Sequence, residues 1–295
     1  MQTQFKKRNE KTFIALTSVI AAIFLTSFKL IVGFLTGSLG ILSEALHSAL
    51  DLVAAIITLF AVKFADEPAD EAHNYGHGKV ENYSALIETI LLFITCVWII
   101  YEAVRRLITH EVEIEVTVWS YVVISISIII DISRARALSR TAKKHNSQAL
   151  EADALHFSTD IWSSSVVLFG LVCVSLFDFH YADPIAALIV AVIVFTVTYR
   201  LGKRSFDALI DKAPEGLHEQ VCSIVKEISE VKNFHSIKIR ESGPIKFIDL
   251  NIHVEKSLSI ETAHEIAHKV EKALSSRIKN AEVMVHIEPD TVEDN

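Results

Sequence analysis

Hydrophobic positions along the chain fall into two regimes. Between residues 12 and 204, six stretches are apolar on nearly every side: 12–36, 40–65, 81–108, 115–137, 150–177 and 182–204. Each reaches the roughly 20 residues that a helix needs to cross a bilayer core. Past Lys212 the pattern changes, and no stretch is long enough to span. Leu217, Val221, Ile224, Val225 and Ile228 recur at helical spacing, which predicts a helix from Leu217 to Val231. The run Phe247 to Glu255 alternates strictly and reads as a strand with one polar face. Ser259 is placed to cap a helix from Ile260 to about Lys279, with Ala263, Ala267, Val270 and Leu274 on its apolar side. Short strands near Ser236–Glu241 and Val283–Glu288 complete an α-β-β-α-β order. The predicted fold class is an α-helical membrane protein, with six transmembrane helices in residues 1–211 and a C-terminal α+β domain in residues 212–295. A domain that small buries a modest core, so dimerisation is expected to supplement it.

Composition agrees with this division. Residues with apolar side chains make up 51% of the 295, ordinary for a polytopic membrane protein with a soluble appendage. The formal net charge of -8 argues against a nucleic-acid partner. Cys96, Cys173 and Cys222 lie far apart, so neither a disulfide framework nor a thiolate metal site is indicated. The basic start Lys6-Lys7-Arg8-Asn9-Glu10-Lys11 runs into an apolar stretch too long for a signal peptide and without a clear small-residue cleavage site, so it reads as the first span. Lys and Arg then orient the chain. With the N-terminus inside, the cytoplasmic loops receive Lys63, Lys79, Arg134, Arg136, Arg140, Lys143, Lys144, Arg200, Lys203 and Arg204. The opposite side receives Arg105 and Arg106, while Thr36-Gly37-Ser38 and Asp178-Phe179-His180-Tyr181 carry neither Lys nor Arg. Both termini are therefore expected in the cytoplasm.

Against this apolar background the ionisable residues stand out. A central Asp in a span costs roughly 2.5–3.5 kcal/mol on insertion scales, so its presence asks for a compensating ligand. His47 and Asp51 lie four apart in the second stretch, and His156 and Asp160 repeat that spacing in the fifth. Residues at i and i+4 share a helix face. One such pair is as readily a set of unrelated polar contacts; two in one six-helix chain point to a joint site. Two imidazoles and two carboxylates suit tetrahedral Zn²⁺, whereas an all-oxygen set suits Mn²⁺ or Mg²⁺ better. Lys29 reads as a snorkelling or carboxylate-paired side chain, and Asp131 as either lining the ion pathway or structurally paired.

Two further groups lie outside the spans. Asp70, His73 and His77 form a compact donor set in the loop between the second and third stretches, where the competing reading is a solvated acidic loop. The C-terminal domain holds His235, His253, His264, His268, His286 and Glu288; His286 and Glu288 share a strand face, and His264 and His268 a helix face. For His253 and His268 alone, a histidine-rich surface is the simpler account. No His-Glu-x-x-His motif and no nucleophile or general base accompanies these ligands, so the chain reads as a non-enzyme.

Taken together, the six spans, the paired His-x-x-x-Asp faces, the loop Asn74-Tyr75-Gly76-His77-Gly78-Lys79-Val80-Glu81 and Ser242-Gly243-Pro244 resemble the cation diffusion facilitator family, nearest its bacterial zinc exporters. The resemblance implies a homodimer in the inner membrane that exchanges cytoplasmic Zn²⁺ for protons, with metallochaperone-like cytoplasmic domains. His47, Asp51, His156 and Asp160 match the family's transport ligands, and Asp70, His73 and His77 a loop site found in some members. His235, His264, His286 and Glu288 fall where members bind metal in the cytoplasmic domain, and Lys79 and Asp211 match a charge pair that holds the dimer. Close bacterial relatives often carry Asp where His47 stands; the nitrogen donor implies a bias to Zn²⁺ over Fe²⁺, Mn²⁺ and Cd²⁺, with Cd²⁺ and Co²⁺ still open as cargoes because they too accept imidazole. Asn251 stands where a His ligand is common and Ile287 replaces a polar residue, with His253 as a substitute donor on the same strand face. A metal-sensing membrane protein and a passive divalent-cation channel are the alternative functions.

Overall fold

The computed structural model describes residues 2–109, 118–177 and 182–290. The Asp178–Tyr181 loop and the start of the fourth predicted span lie outside them. Two compact units emerge, Met1–Glu67 with Val80–Ser205, and Pro68–Lys79 with Phe206–Asn295.

The first unit contains six long helices: α1 (Gln2–Thr36), α2 (Leu39–Ala65), α3 (Lys79–Thr109), α4 (Val118–His145), α5 (Gln148–Phe177) and α6 (Ala182–Leu209). Three stretches within them, Glu10–Thr36, Glu44–Ala65 and Lys79–Arg105, are long and apolar enough to cross a bilayer among the described residues. Gly37 turns the chain between α1 and α2 with φ +67, a left-handed geometry that costs glycine nothing. Ser38 then caps α2, its hydroxyl oxygen accepting the Ile41 N–H at 3.4 Å.

Small residues fill the helix contacts. Ala15, Ala22, Ala45, Ala54, Ala55, Ala135, Ala149 and Ala154 are buried, while Phe34, Phe60 and Trp98 point outward. That inversion suits helices solvated by lipid, where close backbone approach rather than apolar burial drives association. Helix α1 packs on α2 and α4, α4 on α5, and α5 on α2. The α2–α5 contact brings the two His-x-x-x-Asp faces together.

In the second unit, α7 (Leu217–Lys226), β1 (Asn233–Ser242), β2 (Ile245–Val254), α8 (Ile260–Arg277) and β3 (Ala281–Pro289) follow the predicted order. Helix α7 stops at Lys226 rather than Val231, because the chain turns there and sends Ile228 into the core. The sheet runs β1-β2-β3, the first pair antiparallel and the second parallel. Ile248, Leu250, Ile252 and Val254 on one face of β2 pack with Val221, Val225, Val270 and Leu274 of the two helices. The other face of β2, with Phe247, Asp249, Asn251 and His253, is left for polar chemistry and for the 68–79 loop.

Candidate metal centres

The α2–α5 contact places the first donor set. His156 Nε2 lies 3.0 Å from Asp51 Oδ1 and 3.7 Å from Asp160 Oδ2. His47 Nε2 lies 3.5 Å from Asp160 Oδ1 and 3.9 Å from Asp51 Oδ1. Nitrogen and oxygen ligands at about 2.0–2.2 Å from a tetrahedral ion stand roughly 3.3–3.6 Å apart, so these separations nearly match the edges of such a site. Donor atoms of His47, Asp51 and Asp160 all fall within 4.8 Å of one another. His156 joins through its contacts to both carboxylates from the buried side. His47, Asp51 and Asp160 line a cavity of about 80 Å³.

Other charges face that cavity in neutralised pairs. Lys29 Nζ meets Glu44 at 3.1 Å and donates to Ser48 Oγ at 2.8 Å, so the pairing expected for Lys29 is with α2. Asp131 lines the cavity and takes Arg134 at 3.2 Å, the structural pairing expected of it. The Arg134 guanidinium is stacked 3.5 Å over the Phe157 ring, which fixes it against α5.

The second donor set sits in the 68–79 loop, within the same compact unit as the sheet. Asp70 organises it by accepting the backbone N–H groups of Ala72 and His73. The His73 backbone N–H is the chief reason that the Asp70 carboxyl lies below its ordinary range. His73 Nδ1 is 3.2 Å from Asp70 Oδ1, and His77 Nε2 is 3.1 Å from His73 Nδ1 and 3.5 Å from Asp70 Oδ2. His77 is buried, while Asp70 and His73 are exposed.

Sequence reasoning missed how this loop is held. Tyr75 packs edge-on against Phe247 at 5.2 Å, and Arg240 stacks on Tyr75 at 3.8 Å. Gly78 and Gly243 meet backbone to backbone: a Cβ on Gly78 would stand 2.3 Å from the Ser242 oxygen, and one on Gly243 2.7 Å from the Gly78 oxygen. The signal was present in Gly76-His77-Gly78 and Ser242-Gly243-Pro244, but nothing along the chain pairs the two motifs. Lys79 Nζ binds Asp211 at 2.8 Å within the one chain.

The third set is built by strand register. His235, Asn251 and His286 pair across the three strands, and His253 pairs with Glu288 one step along the same face. Glu288 is the hub. Its Oε2 lies 3.1 Å from His235 Nε2 and 3.4 Å from His253 Nε2, and its Oε1 accepts the Asn251 amide at 2.7 Å. The His235 contact leads in holding the Glu288 carboxyl below its usual range. His235, His253 and Glu288 form the compact group. His286 reaches Glu288 only at 3.7 Å, and His264 lies apart, its ring 4.3 Å from that of His268 on α8.

All three sets offer imidazole nitrogen beside carboxylate oxygen, the chemistry of a divalent cation of intermediate softness. A family model of the cation efflux transmembrane domain matches residues 15–210, and one of the cation efflux protein cytoplasmic domain matches residues 213–290. The chain belongs to the cation diffusion facilitator family of cation-efflux transporters. Among its relatives, the cation-efflux pump FieF of Cronobacter sakazakii is 30% identical over 279 residues, 94% of this chain and 92% of that one. FieF of Yersinia enterocolitica is 30% identical over 281 residues, with the same coverage. A solved structure, the metal-bound C-terminal domain of the CzcD transporter from Thermotoga maritima, is 30% identical, covers 26% of this chain and 92% of that one, and has a TM-score of 0.25.

Proposed function

We propose that the chain is a Zn²⁺/H⁺ antiporter that exports zinc from the cytoplasm across the inner membrane as a homodimer. The observation that carries this reading is the convergence of His47, Asp51, His156 and Asp160 where α2 meets α5, with His47, Asp51 and Asp160 lining a cavity beside them. Zinc entering from the cytoplasm takes the two imidazoles and two carboxylates and displaces protons from His47 or His156. A histidine nitrogen cannot hold both ions, so metal and proton exchange at a single atom. Opening to the far side reverses the competition, and the pH gradient sets the direction. His47, a nitrogen donor, biases the site towards Zn²⁺, with Cd²⁺ and Co²⁺ as further imidazole-accepting cargoes.

The Lys and Arg distribution supports cytoplasmic termini. The small core and the exposed Met284 on β3 support a dimer. Asp70/His73/His77 and His235/His253/Glu288 serve as cytoplasmic zinc sites that stabilise or regulate, His264 and His286 acting as further ligands in the dimer that Lys79 and Asp211 help to hold.

Zinc and proton flux in proteoliposomes tests the reading. Asp51→Ala and Asp160→Ala each abolish zinc-driven proton flux; undiminished flux in either overturns the assignment. Zinc flux indifferent to an imposed pH gradient would make the chain a channel instead.

A further inference from the structure

A lysine inside a span is costly unless it is paired, and Lys29, in the apolar stretch Glu10–Thr36 of α1, is buried. Its ammonium turns to α2, donating to Ser48 Oγ at 2.8 Å and meeting Glu44 Oε2 at 3.1 Å. One turn earlier on α1, the Thr26 hydroxyl donates to the Ser48 carbonyl at 2.9 Å. Lys29 is therefore tied to the part of α2 that carries His47. There Glu44, His47, Ser48 and Asp51 stand at i, i+3, i+4 and i+7, a single stripe of one helix face. All four, with Lys29 and Asp160, line the same cavity.

The acids lining that cavity divide into two kinds. Asp51 and Asp160 make their ion pairs, among the described residues, with His47 and His156. Glu44 and Asp131 are instead matched to a lysine or an arginine, Lys29 at 3.1 Å and Arg134 at 3.2 Å. Glu44 differs from Asp131 in standing one turn from His47 on the same helix. A turn rises about 5.4 Å, which a glutamate side chain that rotates freely can bridge. The Glu44 side chain is half exposed, and the ammonium of Lys29 is what turns its carboxylate aside. Freed, it would add a third carboxylate to a set of two imidazoles and two carboxylates. Carboxylate-rich sets suit Mn²⁺ better, and the added negative charge holds any divalent ion longer.

We propose that Lys29 is a specificity-determining residue of the transport site: it holds Glu44 out of the ligand set, so that the ion meets two imidazoles and two carboxylates without a further oxygen donor. This rests on the reading of His47, Asp51, His156 and Asp160 as that transport site. Ser48, the second acceptor, fixes where the ammonium stands. Selectivity for Zn²⁺ then has an attractive part, the nitrogens of His47 and His156, and an excluding part, the sequestered oxygens of Glu44. The same pairing keeps the ion from being held too tightly to leave.

The test uses the full chain in proteoliposomes, with Zn²⁺ and Mn²⁺ as the probes. The cytoplasmic unit offers zinc donors of its own, and α8 adds His264-Glu265-Ile266-Ala267-His268, a His-Glu-x-x-His spacing that the chain does contain, contrary to the expectation from sequence. The transport-site affinity is therefore the component of the calorimetric isotherm that Asp51→Ala removes. Lys29→Gln is expected to tighten that affinity for Zn²⁺ about tenfold, to lower kcat, and to raise Mn²⁺ flux relative to Zn²⁺ flux about tenfold. Adding Glu44→Gln returns affinity and metal preference to within about threefold of wild type. Unchanged affinity and metal preference in Lys29→Gln, with Asp51→Ala inactive, overturn the proposal and leave the transport site standing. Flux that survives Asp51→Ala overturns the transport-site reading instead. Flux lost in Lys29→Gln and not recovered by Glu44→Gln makes Lys29 a structural tie between α1 and α2, and overturns the proposal. Where gel filtration shows Lys29→Gln misfolded, Glu44→Gln alone decides: the bare ammonium weakens zinc binding about tenfold, and an unchanged affinity overturns the proposal.

Discussion

Replacing Gly78 with alanine forces a methyl group against the turn between β1 and β2. The new Cβ would stand 2.3 Å from the Ser242 oxygen, about 1.1 Å inside the 3.4 Å at which ordinary contact begins. The obstacle is backbone, pinned by the Ser242–Ile245 register, and cannot rotate aside as a side chain would. The loop must lift. Overpacking of this kind costs about 1–3 kcal/mol. Lifting also loosens Tyr75 from Phe247 and Arg240, contacts worth about 0.5–1.5 kcal/mol each. A net loss of about 2 kcal/mol in local stability corresponds to amide exchange roughly thirtyfold faster. Hydrogen exchange of the full chain reads it at Gly76 and Asp70, whose N–H groups both donate to the His73 carbonyl. Gly243→Ala meets the Gly78 oxygen at 2.7 Å from a residue with φ +57, and the left-handed backbone adds about 1–2 kcal/mol. Both variants open one gap, so the double variant costs less than the sum. Exchange at Gly76 within about threefold of wild type in Gly78→Ala would refute the backbone contact.

Three further outcomes are expected. His47→Asp retains transport but widens it towards Cd²⁺ or Fe²⁺, and an unchanged metal profile in proteoliposomes counts against His47 as the selectivity ligand. Asn251→His puts a nitrogen donor where an amide now binds Glu288 Oε1, and tightens zinc binding at the cytoplasmic group by about tenfold in calorimetry; unaltered affinity would show that position to be outside the site. Lys269, bonded at 2.6 Å, leads in holding the Glu230 carboxyl at about 2 against an ordinary 4.5. A depressed carboxyl stabilises the fold in full above its unfolded value and less as pH falls through the folded one, so Glu230→Gln removes this carboxyl's share of the acid sensitivity between pH 4.5 and 2. Identical acid-unfolding curves for variant and wild type, followed by exchange at β2 amides, would contradict this.

Periodicity carried most of the fold, because lipid and a two-sided sheet each impose their own spacing on apolar residues. The His47–Asp51 and His156–Asp160 faces were legible for the same reason: ligands four apart on a helix share a face whatever surrounds them. Contacts between remote segments were not legible. Glu88 and Asp153 look like isolated polar residues until the folded chain sets the Thr58 hydroxyl on the first and the Ser18 hydroxyl on the second. Tyr75 and Arg240 are 165 positions apart, and no local rule pairs them. In the sheet, alternation placed His253 and Glu288 on polar faces, but only the register of β2 with β3 sets them side by side. His264 shows the limit from the other direction, since helical spacing joined it to His268 rather than to Glu288.

The docked loop also bears on what counts as a domain in this protein. A fragment cut at Lys212 carries every strand and helix of the sheet, yet lacks the twelve residues Pro68–Lys79 that belong to the same compact unit. Phe247 is 8% exposed with Tyr75 over it. Without that cover, its ring and the Arg240 guanidinium become open surface, and the Asp70/His73/His77 donors are gone. Such a fragment presents an adhesive apolar spot that the whole chain hides, and it lacks one complete candidate donor set.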